Sequence, residues 1–479
     1  MREEPQAFNY LADPQIRSIA DWLGDPVRPA LFPRHILRFR NDRWARAVGL
    51  DSLNDAQWIA HFARFEPLAG NLEQPLALRY HGHQFRTYNP DLGDGRGFLF
   101  AQLRDGPGKP HGGRLLDLGT KGSGQTPWSR QGDGRLTLKG AVREILATEM
   151  LEALGVNTSK TFSVVETGEE LWRGDEPSPT RSAVLVRLSH GHIRIGSFQR
   201  LRVLEEADHM RALVAYALEN FPGDSPPGDA PGREDPAVIL MHQVVERLAD
   251  MAASYMVAGF VHGVLNTDNM NISGESFDYG PWRWLPRWDP GFTAAYFDHT
   301  GLYAFGRQPQ AIAWNCAQLA GALRLIADEA PLVAALERFG TVYRQAMVRR
   351  FCWRLGVVPL GSGGEEIDRD LERDIALIAT AEAWMRETDL PPDQFFFAHR
   401  SGRNPPDNPF GEALRRHDPA QSASDSPFWQ RESPPSLLVD EVERIWNEIS
   451  EKDEWAPLGE KIASIRALGD SLGPAPTSH

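Results

Sequence analysis

A change of periodicity near residue 203 constrains this 479-residue chain more than any other feature. Before it, residues 1 to about 75 alternate short helical patterns with Pro-containing loops, and short apolar runs bounded by glycines then surround one longer helical pattern; after it, apolar residues recur mainly at the helical three-to-four spacing. The first half carries Leu92-Gly-Asp-Gly-Arg-Gly97, then a strand expected over 98–103. A break at 106–113 reads as a hairpin loop, and a returning strand over 114–118 leads to Lys121 at its end. Apolar residues at 138, 141, 142, 145, 146, 150, 151 and 154 predict an amphipathic helix over 136–154, closed by Gly155. Two more strands are expected over 161–166 and 183–188. Beyond 203, helical stretches flank a Pro- and Gly-rich loop at 221–232, the second running over 237–260. Further helices are expected over 309–327, 329–350 and 368–387. The stretch 401–435 reads as loop by composition, and a helical tail follows over 437–452.

The second helix leads into Val261-His-Gly-Val-Leu-Asn-Thr-Asp-Asn269, and Asp278-Tyr-Gly280 follows nine residues later. In a protein kinase the catalytic loop runs H-R-D-L-x-x-x-N and a D-F-G follows. Its first Asp receives the substrate proton, while the Asn and the second Asp hold magnesium. Aligning His262 and Asn269 puts Val264 where the base belongs. Valine accepts no proton, so either the site is dead or the carboxylate has moved to Asp268. Asn269 and Asp278 are hard oxygen donors suited to Mg²⁺ bound jointly with a triphosphate. The order of glycine turn, strand pair, lysine, helix and strands is also that of a kinase N-lobe. The fold expected is therefore α+β and two-lobed. It divides into an N-terminal extension (1–75), an N-lobe with nucleotide-binding loops (76–202), a helical C-lobe (203–400) and a C-terminal appendage (401–479).

Other residues fit an anionic ligand. Gly93, Gly95 and Gly97 allow close backbone approach to a phosphate, and Arg96 adds a cation. Lys121 stands between glycines at a strand end. Glu144, Glu149 and Glu152 all lie on the following helix, and helical phase does not choose which of them pairs with it. Asp133 and Gly134 present a carboxylate and bare backbone, and Arg187 and Arg194 are placed to grip phosphate oxygens. The histidines at 81, 83, 190, 192 and 262 form no metal-binding pattern and read as structural. Cys316 and Cys352 lack a CxxC partner and read as helix core.

Charge points the same way. The chain is net −14, which argues against nonspecific binding to nucleic acid or an anionic membrane, yet residues 96–202 hold 16 Lys and Arg against 11 Asp and Glu. Local cations in an acidic protein suit a small anionic ligand. No apolar run reaches membrane-spanning length, and Met1-Arg-Glu-Glu-Pro5 lacks the features of a signal peptide, so a cytoplasmic home is expected.

Together the motifs Gly93-Asp-Gly-Arg96, Lys121-Gly-Ser-Gly-Gln-Thr-Pro-Trp-Ser-Arg130, Asp133-Gly-Arg135, Arg143-Glu144, His262-Gly-Val-Leu-Asn-Thr-Asp-Asn269 and Asp278-Tyr-Gly-Pro281 resemble the selenoprotein O family. These are kinase-like protein adenylyltransferases, and the resemblance spans about residues 75 to 325. It implies that ATP is bound flipped relative to kinases, so that AMP passes to Ser, Thr or Tyr hydroxyls of protein substrates, with Mg²⁺ or Mn²⁺ as the metal and UMP transfer through the same site as a variant. By family role Lys121 pairs with Glu144, and Arg187 and Arg194 hold the phosphates. Gly93, Gly95, Arg96, Asp133 and Gly134 complete the pocket, Asp268 accepts the proton, and Asn269 and Asp278 take the metal. An ordinary kinase using the γ-phosphate, or a nucleotide-binding scaffold without turnover, are the rival readings. Many family members carry a cysteine or selenocysteine near the C-terminus; Pro474-Ala-Pro-Thr-Ser-His479 has neither, so redox control through it is not expected.

Overall fold

The computed structural model describes residues 10–106, 113–174, 176–362, 367–421 and 423–476. The stretch Met1 to Pro5, most of the loop at 106–113 and the last three residues of the tail lie outside them. Among the described residues the fold is mixed α+β: a nine-stranded antiparallel sheet followed by a largely helical half. Across the sheet the strands run Gly24–Pro26, Leu76–Leu78, Leu99–Arg104, Leu115–Lys121, Thr180–Ser189, Lys160–Leu171 and Ile36–Arg40. Leu11–Ala12 and Leu136–Thr137 pair alongside this path.

Both outermost strands come from the first 75 residues, where short helices were expected. They are brief, and Arg38 and Arg40 lie on one of them, which is how edge strands avoid further pairing; Leu37-Arg38-Phe39-Arg40 alternates apolar with charged residues, but over four residues only. The central strands are buried on both faces, which accounts for their continuous apolar runs. Val184, Val186 and Leu188 pack with Trp58 and Phe62 of the helix Asp55–Phe62, whose start is fixed by a capping box between Asn54 and Gln57. The alternate residues Ala183 and Leu185 pack on the helix Leu138–Ala153.

That helix starts at Thr137, whose hydroxyl accepts the Gly140 N–H at 3.1 Å, and it gives way to Gly155 at φ +73°. It is buried almost all round, because two C-terminal helices, Val439–Lys452 and Ala456–Leu472, cover its outer side. Arg466 forms a two-pronged ion pair with Glu149 at 2.6 and 2.8 Å, and Lys139 meets Glu443 at 2.7 Å. The second of these helices was not anticipated. Its apolar spacing of Leu458, Ile462, Ile465, Leu468 and Leu472 is regular, but Pro457, Gly459 and Gly469 weaken its propensity.

The central helix of the second half, Pro236–Ala258, begins at the Asp235 cap and stops two residues before its predicted end. Gly259 turns left-handed at φ +66°, and Phe260–Val261 becomes a strand paired with Arg283–Trp284. That pairing pins both ends of the loop between them. Gln308–Leu323 and Ile367–Thr388 match the expected helices closely, whereas 329–350 is divided into Glu329–Glu337 and Phe339–Leu355. The 401–435 stretch contains a short helix, Pro409–Leu414, capped by Asn408. Cys316 and Cys352 are buried within helices, as expected.

Since Ile465 is fully buried between the C-terminal helix and the rest of the core, Ile465→Ala is expected to destabilise the whole protein by about 2–5 kcal/mol. Thermal unfolding followed by circular dichroism should show a single transition at lower temperature; an unchanged midpoint would mean that the helix is energetically separate.

Candidate active site

Strand register brings the first charges together. Leu185 lies opposite Lys121 and Arg187 opposite Gly119, so alternation places Lys121 and Arg187 on the same face of the sheet as diagonal neighbours. This is the face covered by the helix Leu138–Ala153. From that helix Glu144 reaches Lys121 Nζ at 2.7 Å and lies 3.8 Å from Arg187. Glu149 is instead taken by Arg466, and Glu152 by Arg43 and Trp44. Packing thus chooses among three glutamates that helical phase could not separate.

The loop after the central helix completes the cluster. His262 donates from Nε2 to the Phe277 carbonyl across 3.0 Å, while its backbone N–H donates to Gln308 Oε1, tying the two halves of the motif together. Residues 157–159 bond with Ser276 through N–H to carbonyl contacts of 2.8 and 2.9 Å, and so bring Asp278 to the sheet. Asp278 sits at φ +62° with its carboxylate 2.9 Å from Lys121 and 3.6 Å from Arg187. Burial would raise its pKa, but Lys121, Arg187 and Arg96 outweigh that and hold the carboxyl well below the usual range. Residues 193–195 hydrogen-bond with 270–272, which carries Arg194 to the same place; there it pairs with Asp94 at 2.8 Å and lies over the Tyr80 ring.

Asp268 occupies the short turn Thr267–Asn269. The loop is held from outside: Thr267 Oγ1 donates to Gln199 and accepts from the His83 N–H, and Asn266 Oδ1 accepts from the Phe85 N–H and the Tyr303 hydroxyl. Asn269 donates its amide N–H to the Val264 carbonyl at 3.2 Å. Burial pushes the Asp268 carboxyl up to about 6, against the lowering influence of its own backbone N–H and Arg194. It is therefore ionised at neutral pH yet more basic than an ordinary aspartate.

Gly93, Gly95, Arg96, Lys121, Asp133, Gly134, Arg187, Arg194, Asp268, Asn269 and Asp278 all line one cleft of about 690 Å³, and Glu144 lies buried behind Lys121. The glycines have a packing reason beyond phosphate approach. A Cβ at Gly93 would collide with the Trp128 indole, and one at Gly97 with the Thr120 carbonyl. Gly134 is at φ +69° against the backbone of Gly124. Asp133 is paired with Arg173 at 2.7 Å on the rim. Among the described residues, Glu144 Oε1, Arg187 Nη1, Arg194 Nε and Asp268 Oδ1 are buried without a hydrogen-bond partner. Four such groups around one cleft suit a polar ligand.

Sequence reasoning passed over several supporting residues. His192 fills the space that Gly119 leaves open, accepts from Arg187 Nε at Nε2 across 3.3 Å, and meets Asp117 through Nδ1 at 3.1 Å. The ring proton is therefore on Nδ1, and burial keeps the imidazole neutral. No spacing in the sequence announces this chain, whereas Asp94, inside the Gly-Asp-Gly-Arg motif, was within reach of motif reading.

Known proteins resemble the chain over most of its length. A family profile described as "Protein adenylyltransferase SelO" matches residues 6–408. A protein nucleotidyltransferase YdiU of Synechocystis is 38% identical over 486 residues, covering 96% of this chain and 98% of its own. That of Gloeobacter violaceus is 41% identical over 484 residues, covering 95% and 94%, and that of Synechococcus elongatus 49% over 353 residues, covering 72% and 68%.

Replacing His192 with Leu leaves a buried guanidinium N–H without its acceptor and frees Arg187 to move. The expected result is a Kd for ATP raised about tenfold, read by calorimetry, because a hydrogen bond to a charged group contributes about 1.5–3 kcal/mol. Unaltered affinity would show that Arg187 needs no such support.

Proposed function

The chain belongs to the SelO family of protein adenylyltransferases and is a protein nucleotidyltransferase; we propose that it transfers AMP from ATP to Ser, Thr or Tyr hydroxyls of proteins with Asp268 as proton acceptor. The observation that carries this reading is the buried, unpartnered Asp268 oxygen facing the same cleft as Lys121, Arg187 and Arg194. The acceptor oxygen bonds to the α-phosphorus as the bond from that phosphorus to the bridging oxygen breaks. Pyrophosphate leaves with the electron pair, and the hydroxyl proton passes to Asp268. Lys121, steadied by Glu144, and the two arginines hold the phosphates. Gly93, Gly95, Arg96, Asp133 and Gly134 shape the rest of the pocket around a nucleotide bound in the flipped sense.

Asn269 and Asp278 would hold the metal. The donor set fits: Asp278 is a firmly ionised carboxylate, and Asn269 commits its amide N–H to Val264, which leaves its oxygen available. Among the described residues no three His, Cys, Asp or Glu gather into a separate metal cluster, in keeping with an ion that shares its ligands with the nucleotide. When bound, Mg²⁺, or Mn²⁺ in its place, neutralises charge on the phosphate oxygens.

We read the sheet-bearing part (76–202) and the helical part (203–400) as two kinase-like lobes around the cleft. The terminal segments 1–75 and 401–479 are additions that complete the sheet edges and brace the Glu144 helix. No helix of the described residues is long and apolar enough to cross a membrane, and we assign the enzyme to the cytoplasm. The relatives named above as nucleotidyltransferases make UTP a second donor to try in the same site.

Incubation with α-labelled and, separately, γ-labelled ATP plus Mg²⁺ or Mn²⁺ decides the reaction. Self-labelling is expected from the α-label alone and to vanish in Asp278→Ala, while Asp268→Asn should lose about 10²–10⁴-fold in rate with ATP binding retained. Transfer of the γ-label alone would establish a kinase instead, and no transfer at all a scaffold.

A further inference from the structure

Beside Asp268 the protein exposes an aromatic surface that the nucleotide chemistry leaves unused. The hairpin formed by Gly82–Gln84 and Thr87–Asn89 is closed by Phe85 and Arg86, at φ 48° and 65°. Two-residue hairpin turns with both φ values positive favour Asn-Gly, and bulky side chains are strained there. Strain of this kind persists where surrounding contacts enforce it. Here the Phe85 N–H donates to Asn266 Oδ1 at 3.0 Å, and the Phe85 ring meets Tyr303 at 5.0 Å and Phe297 at 5.8 Å between centroids. Asn266 is two residues before Asp268, so this surface adjoins the carboxylate.

The other side of the surface is the segment after Asp278. Tyr296 is 80% exposed and packs edge-on against Phe297, itself 42% exposed. These rings are held in place. The buried Asp298 carboxylate accepts the N–H groups of Leu302 and Tyr303 at 2.9 and 2.8 Å, which fixes the turn just beyond them. Arg86 is exposed, lies 5.5 Å over the Trp314 ring, and forms no ion pair among the described residues. An unpaired cation beside exposed aromatic rings, in a chain of net charge −14, has the composition of an interface core rather than of ordinary surface.

We propose that Phe85, Arg86, Tyr296 and Phe297 seat the acceptor segment of the protein substrate, and that they select a segment with a large apolar residue and a carboxylate close to the acceptor hydroxyl. This rests on the reading of Asp268 as the group that receives the acceptor's proton. A protein nucleotidyltransferase must bring a polypeptide hydroxyl to that carboxylate while the nucleotide fills the cleft, so the polypeptide has to cover the surface that adjoins Asp268. The aromatic rings suit its apolar side chain, and Arg86 suits its carboxylate by charge.

A peptide library with a fixed central Tyr or Ser and varied neighbours, labelled from α-labelled ATP by the full-length enzyme, tests this. Peptides with Phe, Tyr or Leu and with Asp or Glu near the acceptor should be enriched. Tyr296→Ala combined with Phe297→Ala should raise KM for an enriched peptide about tenfold or more, with the Kd for ATP unchanged. Arg86→Glu should turn the preference from Asp and Glu towards Lys and Arg. A library labelled without preference or not at all, an unchanged acceptor KM, or an ATP Kd that rises in step would overturn the proposal. The two readings fail separately: transfer of the γ-label alone strikes the adenylyl assignment, whereas flat peptide preference with intact α-labelling strikes the docking surface.

Discussion

Lys121, Arg187, Glu144 and Asp278 meet in contacts of 2.7 to 3.8 Å, and the rest of the architecture is arranged around that meeting. Each comes from a different strand, helix or loop, so the cluster exists only when all of those are in register. Withdrawing charges from water costs several kcal/mol per ion, and removing one partner leaves the others uncompensated. This explains why so much of the chain serves as bracing. His192 and Asp117 stand behind Arg187, the C-terminal helices grip the Glu144 helix, and His262 ties the Asp278 loop to the Asp268 loop.

The candidate site was more legible than its supports. Lys121, Asp268, Asn269 and Asp278 sit in short motifs with unusual chemistry, and local sequence is enough to single them out. Glu144 could not be separated from Glu149 and Glu152 by helical phase, because the choice is made by Arg466, Arg43 and Trp44, which are distant in sequence. The same holds for His192, whose role depends on the missing side chain of Gly119 in the neighbouring strand. The strand Gly24–Pro26 is too short to leave a pattern, whereas Ile36–Arg40 carries a brief alternation, Leu37-Arg38-Phe39-Arg40, that the reading of this segment as short helices passed over.

An acidic protein that handles a polyanion has to solve a problem of sign. Here Lys121, Arg187 and Arg194 are countered by Glu144, Asp278 and Asp94, while the lining of the cleft as a whole holds seven Lys and Arg against four Asp. On the function proposed above, an arriving polyphosphate competes with carboxylates already in place, and Arg187 Nη1 and Arg194 Nε, buried without a hydrogen-bond partner, add to the attraction.

The ion pairs of Arg38 and Arg181 with Asp453 join an edge strand built from the start of the chain to a residue 415 positions later than Arg38. At translation rates of roughly 5–20 residues per second, the Ile36–Arg40 strand waits roughly 20 to 80 s for that partner to be made. Arg466, which secures the Glu144 helix, emerges later still. Arg466 lies 317 positions after its partner Glu149, so the helix that carries Glu144 gains this brace long after it has itself been made, and the part of the chain that steadies the cleft is among the last to reach it.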